Sequence, residues 1–95
     1  MTELEAEDQI RRAGEAAMIL NHELVREAIL ALKADQYEKL EATKPSQKDE
    51  REFIYHQIRA INNFEAQFQF HIVEGRVARG WLDEYRARQK TNRRR

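Results

Sequence analysis

The chain has no cysteine, one proline, three glycines and one tryptophan in its 95 residues. Without cysteine there are no disulfides and no thiolate metal sites, a usage that fits a reducing compartment. So few turn formers leave little material for long loops. With 36% charged residues and an abundance of Ala, Glu, Arg and Gln, the expectation is a nearly all-helical protein. No apolar run approaches the roughly 20 residues that span a bilayer, and the opening MTELEAEDQI is acidic where a secretory signal would be basic and then apolar. This predicts a cytoplasmic protein with no membrane partner.

Catalytic signatures are missing as well. There is no HExxH, GxSxG elbow, P-loop or GxGxxG turn. His22, His56 and His71 are scattered; His71 and Glu74 lie one helical turn apart, but a metal there would need ligands from elsewhere. On a helix, His56 and His71 would be about 22 Å apart, too far to share an ion within one chain. No catalytic residue, metal, cofactor or small-molecule substrate is expected, and the protein reads as a non-enzyme.

What the sequence does contain is helical periodicity. Ile54, Ile58, Ile61, Phe64, Phe68 and Ile72 advance by three or four, the spacing of one helical stripe. A second stripe, Val25, Ile29, Leu32, Gln36 and Leu40, precedes it. Near the start a third, Ala6, Ile10, Ala13, Ala17 and Leu20, is mostly alanine and carries Gly14. Thr2, with Glu3 and Glu5 behind it, has the form of an N-cap with acids in the first turn. Asn21 is a candidate N-cap for the second helix, with a continuous helix as the alternative. Thr43 to Ser46, with Pro45, ends it; Ser46 with Asp49 resembles a capping box. Gly75 sits where a helix C-cap is expected, and Val77, Trp81, Leu82 and Tyr85 suit one face of a further short helix.

These signals predict an all-α fold: an antiparallel helical hairpin of two long helices, an additional N-terminal helix and a short C-terminal helical segment. The expected helices are about 3–20, 22–43, 47–74 and 77–88. Residues 1–85 form one helical domain, and 86–95 a basic, disordered tail.

Zero net charge conceals a polarity. Residues 1–50 hold twelve acids against seven Lys and Arg, and residues 51–95 five acids against ten, so the halves carry minus five and plus five. The basic excess is concentrated in Arg86, Arg88, Lys90, Arg93, Arg94 and Arg95, which are candidate contacts to nucleic acid or to an acidic protein surface. No nucleic-acid-binding motif accompanies them, so any nucleic-acid contact is expected to be non-specific.

A resemblance adds a setting. The segments ILNHELVREAILALKADQYEKLEATKP and QKDEREFIYHQIRAINNFEAQFQFHIVEGRVA resemble small helical proteins encoded among the structural and packaging genes of tailed bacteriophages and prophages. In those proteins a helix breaks at an Asn and another ends near a Pro. A charged cap and an aromatic follow, and a Gly with a basic residue closes the pattern; here Glu50 to Phe53 and Gly75 with Arg76 hold the corresponding places. The likeness covers about Leu20 to Ala78, and departs in having Phe53 where tryptophan is frequent and in the arginine tail. That group has no agreed activity, so the resemblance implies a virion-associated or assembly role, in the host cytoplasm or the virion, and no site residues.

A two-helix hairpin in so short a chain leaves Tyr37, Phe53, Phe70 and Val73 off its main seam. Copies of the protein would cover them. The expected function is therefore a self-associating, non-enzymatic helical protein, a phage structural or packaging factor. Phe53, Phe64, Phe68, Phe70, Trp81 and Tyr85 are the candidate oligomer or partner interface, and other phage structural proteins the further partners. The alternatives are a small nucleic-acid-binding protein acting through the arginine-rich tail, and a docking protein that anchors a host partner through Trp81 and Tyr85.

Overall fold

The computed structural model describes residues 1–93. Among them the chain is all helical, in three elements: α1 (Glu3–Asn21), α2 (Glu23–Ala42) and α3 (Lys48–Arg93). Local chemistry accounts for the boundaries. The Thr2 hydroxyl accepts the Glu5 amide at 3.1 Å, satisfying one of the open N–H groups of the first turn of α1. Between α1 and α2 the single residue His22 takes an extended conformation (φ −66°, ψ 127°), and its Nδ1 accepts the Leu24 amide at 3.2 Å. The cap therefore falls on His22 rather than on Asn21, which is the last residue of α1. Thr43 closes α2 with its own amide and hydroxyl donating to the Leu40 carbonyl. In the turn that follows, the capping role expected of Ser46 passes to Gln47. Its side-chain oxygen accepts the Lys44 amide at 2.6 Å, its carbonyl accepts the Arg51 amide, and its amide nitrogen donates to Glu50.

The third helix corrects the expected boundaries. No break occurs at Gly75, and the expected segments 47–74 and 77–88 are parts of the single 46-residue α3. Gly75 is not in the left-handed conformation of a C-cap; no glycine in the described chain has positive φ. The helix also runs through residues 86–93, where a disordered tail was expected. Nothing in that stretch opposes helix, and Lys90 and Arg93 lie in the last turn, where cations meet the negative end of the helix dipole. Arg94 and Arg95 lie outside the described residues.

The chain divides into two compact units, Met1–Met18 with Phe68–Arg95, and Ile19–Gln67. In the second unit Lys33 meets Glu65 at 3.0 Å and Arg51 donates to the Thr43 hydroxyl at 3.0 Å. Rising numbers on α2 thus meet falling numbers on α3. A run of less exposed positions comprises Ile29, Lys33, Gln36 and Leu40 on α2 with Thr43 just beyond its end, and Arg51, Ile54, Ile58, Ile61 and Glu65 on α3; Val25 and Gln57 are half-buried as well. Both series alternate steps of three and four, a seven-residue repeat that keeps two helices in contact when they wind about each other. The repeat also corrects the stripe expected from sequence. After Ile61 the inner position is Glu65, which reaches Lys33, while Phe64 lies on the flank, 56% exposed.

In the other unit α1 packs against the later part of α3, again with opposite directions. Arg86 donates to Glu7 at 3.1 Å, and Gly75 lies against Ala13 and the Gln9 carbonyl. Ala6, Ala78 and Leu82 form a buried cluster, with Ile10 and Trp81 packed against it. The close approach explains the glycine: a Cβ at Gly75 would overlap that of Ala13 and sit 3.2 Å from the Gln9 oxygen. The alanine stripe of α1 is what permits this approach, since small side chains bring two helix axes together.

Candidate functional site

Large apolar side chains on the surface outnumber those inside. Among the described residues the buried hydrophobic ones are Ala6, Ala16, Ile29, Ile54, Ile58, Ala78 and Leu82, four of them larger than alanine. Fourteen large hydrophobic residues among the described ones are exposed, and nine more are half-buried. In the Ile19–Gln67 unit the exposed set includes Leu24, Leu30, Leu32, Tyr37, Phe53 and Tyr55. Phe53 borders an open groove with Ile54 and Gln57 on one side and Gln36, Lys39 and Ala42 on the other. Tyr37 and Tyr55 border a second groove floored by Leu40 and Ile58. Among the described residues no three His, Asp or Glu side chains converge as metal ligands. No helix among them is long and apolar enough to cross a membrane.

The candidate interface residues therefore separate. Phe53, Phe64 and Phe70 are exposed, at 63%, 56% and 57%. Phe68, Trp81 and Tyr85 are half-buried. Trp81 and Tyr85 come together, their rings stacked with centroids 5.1 Å apart and planes 10° from parallel, while Trp81 also packs on the Ala6, Ala78 and Leu82 cluster. Eleven of the fourteen exposed large hydrophobic residues were outside the candidate set, among them Val73, expected off the main seam and covered by copies, and Val77, expected on one face of a short helix. The signal for these two was available in the three-and-four spacing from Phe70 to Gly80, once α3 is one helix.

At the basic end, Arg86 pairs with Glu7 at 3.1 Å and Arg88 with Glu84 at 3.7 Å. Arg86, Lys90 and Arg93 line an open groove with Tyr85, Gln89 and the acidic Glu3. The first of the tail cations thus meets an acid from the chain's own N-terminal segment. Elsewhere on α1, Arg11 bridges Asp8 and Glu15, each at 2.7 Å. The hydrogen bond from Arg11 holds the Asp8 carboxyl below the usual carboxylate range, and Asp8 in turn, with Glu15, raises the Arg11 guanidinium. The histidines are occupied locally: His22 caps α2, His56 stands 3.7 Å from Glu52 and beside the Tyr55 ring, and His71 lies edge-on to Phe70.

The fold and surface define an all-α protein of three helices with apolar flanks among the described residues. No protein-family profile, no curated protein and no solved structure matches the chain.

Proposed function

We propose that the protein is a non-enzymatic, self-associating helical protein, in which the α2–α3 hairpin and the α1 arm form the subunit and copies of the subunit cover one another's apolar flanks. The observation that carries this reading is that, among the described residues, fourteen large hydrophobic residues are exposed and only four are buried, nine more being half-buried. Single exposed apolar side chains are ordinary on a monomer, but here they repeat along helices and line grooves, the arrangement found where a partner docks. A small chain gains most from association because its own core is thin. An assembly role, as in the phage proteins that the sequence resembles, is the setting in which such a module would serve, and the proposal rests on the surface rather than on that likeness.

Light scattering on the purified chain during size exclusion tests the reading. A mass at least twice that of the chain is expected at micromolar concentration, and a compact monomer would remove it. The nucleic-acid alternative is less favoured, because Arg86 is already paired with Glu7 and shares its groove with the acidic Glu3.

A further inference from the structure

We infer that a second copy of this chain docks on the outward side of α3 between Phe70 and Arg88, with the two α3 helices parallel and in register. The inference rests on the association reading and adds to it a surface and an orientation. Phe70, Val73, Val77 and Gly80 follow one another at steps of three, four and three, and all four are exposed. Gly75, Ala78 and Leu82, on the side of the same helix that meets α1, are buried. Open space surrounds Gly80, so a neighbouring helix can approach there without obstruction. A seven-residue repeat of apolar positions is the seam of a left-handed two-helix coil. From Phe70 to Glu84 it runs about 21 Å, a length suited to a reversible pair rather than a permanent one.

Charge decides the occupant and its direction. With Phe70 and Val77 at one set of seam positions and Val73 and Gly80 at the other, the seam is flanked on one side by Glu74, Trp81 and Arg88. On the opposite side stand Gln69, Arg76 and Asp83. In a parallel pair opposite flanks meet, which brings Arg76 to the second copy's Trp81 and Asp83 to its Arg88. These are a cation against an indole and an ion pair of opposite charges. In an antiparallel pair centred on the same seam, like flanks meet, placing Arg76 against Arg76 and Glu74 against Glu74. Such like-charge contacts disfavour that arrangement. Neither Arg76 nor Asp83 has an ion-pair partner among the described residues, and Arg88 has only its long contact with Glu84. Glu84, the next seam position, would meet its own counterpart in the parallel register, so the apolar contact ends before it, and Arg88 from each copy lies beside that end to offset the two carboxylates.

Because the chain contains no cysteine, single-cysteine variants report the contact directly. In the parallel register each of Val73→Cys and Val77→Cys meets its own counterpart within disulfide range, about 4.4–6.8 Å between Cα atoms. Mild oxidation is expected to convert both to covalent dimers and to leave Leu30→Cys, on α2, uncoupled. Val77 is exposed, so Val77→Asp keeps its helix content by circular dichroism, and it is expected to weaken association at least about tenfold. Asp83→Arg should weaken it too, and adding Arg88→Asp should restore it. A wild type that associates, with no self-coupling at 73 or 77 and undiminished association in Val77→Asp, overturns this surface and leaves the association reading intact. Preferential coupling of Val73→Cys with Val77→Cys overturns the parallel direction. A wild type that remains monomeric at micromolar concentration removes both.

Discussion

Gly75 offers the sharpest test of the packing, because the same substitution at another glycine should have the opposite sign. In a helix interior, glycine is less favourable than alanine by about 0.8–1 kcal/mol, so glycine to alanine normally stabilises. Gly14 in α1 has nothing within 4 Å of its Cβ position, and Gly14→Ala should gain that full increment. At Gly75 the new methyl would overlap the Ala13 methyl, which has no rotamer by which to move aside, and would press on the Gln9 carbonyl at 3.2 Å. Relief requires α1 to move off α3, which opens the Ala6, Ala78 and Leu82 cluster. Overpacking of this kind costs about 1–3 kcal/mol. With rigid atoms on both sides the upper half of that range applies, leaving Gly75→Ala less stable than wild type by about 1–2 kcal/mol after the helix gain. Urea denaturation followed by far-UV circular dichroism reads the difference, at a concentration low enough to keep association out of it. The two variants should differ by about 2–3 kcal/mol. A Gly75→Ala protein stabilised as much as Gly14→Ala would show that α1 does not approach α3 at this point.

Three further outcomes are expected. Leu82, 1% exposed, is the largest fully buried side chain, and Leu82→Ala should cost about 2–5 kcal/mol in denaturant titration; a loss under about 1 kcal/mol would mean that the cluster is not a core. The part-buried pair Lys33–Glu65 should show a coupling of about 1 kcal/mol in a double-mutant cycle with Lys33→Met and Glu65→Gln, and zero coupling would refute the register of α2 on α3. Asp8 should titrate below an ordinary aspartate by carboxyl NMR, and Arg11→Gln should move it up towards the usual range. Since its folded pKa is depressed, whatever Asp8 contributes to stability is present above the unfolded pKa and fades as pH falls through the folded one. A titration unaltered by Arg11→Gln would assign the shift to another group.

Much of this architecture was legible in the chain. Alternating three and four spacing, Thr2 before Glu3 and Glu5, and Pro45 between two apolar stripes are local signals, and local hydrogen bonds realise them. The misplaced features depend on contacts between elements. Gly75 looked like a C-cap because glycine ends helices; its reason for being there is Ala13, more than sixty residues earlier, and no local rule distinguishes the two uses. Phe64 looked like a core residue by hydropathy, yet Glu65 holds the inner position because Lys33 stands opposite and the seven-residue repeat advances from Ile61 to Glu65. His22 took the cap expected of Asn21, a shift of one residue that depends on which imidazole or amide reaches the Leu24 amide. The exposed stripe from Phe70 to Gly80 turns on the same glycine, since it exists only on an unbroken α3.

Association is the claim on which the functional reading stands, and sedimentation equilibrium of the complete chain across a hundredfold dilution tests it most directly. The exposed apolar residues of α2 and α3 predict a mass that rises with concentration above that of one chain and falls back on dilution. A single ideal species with the mass of one chain at every concentration would contradict it.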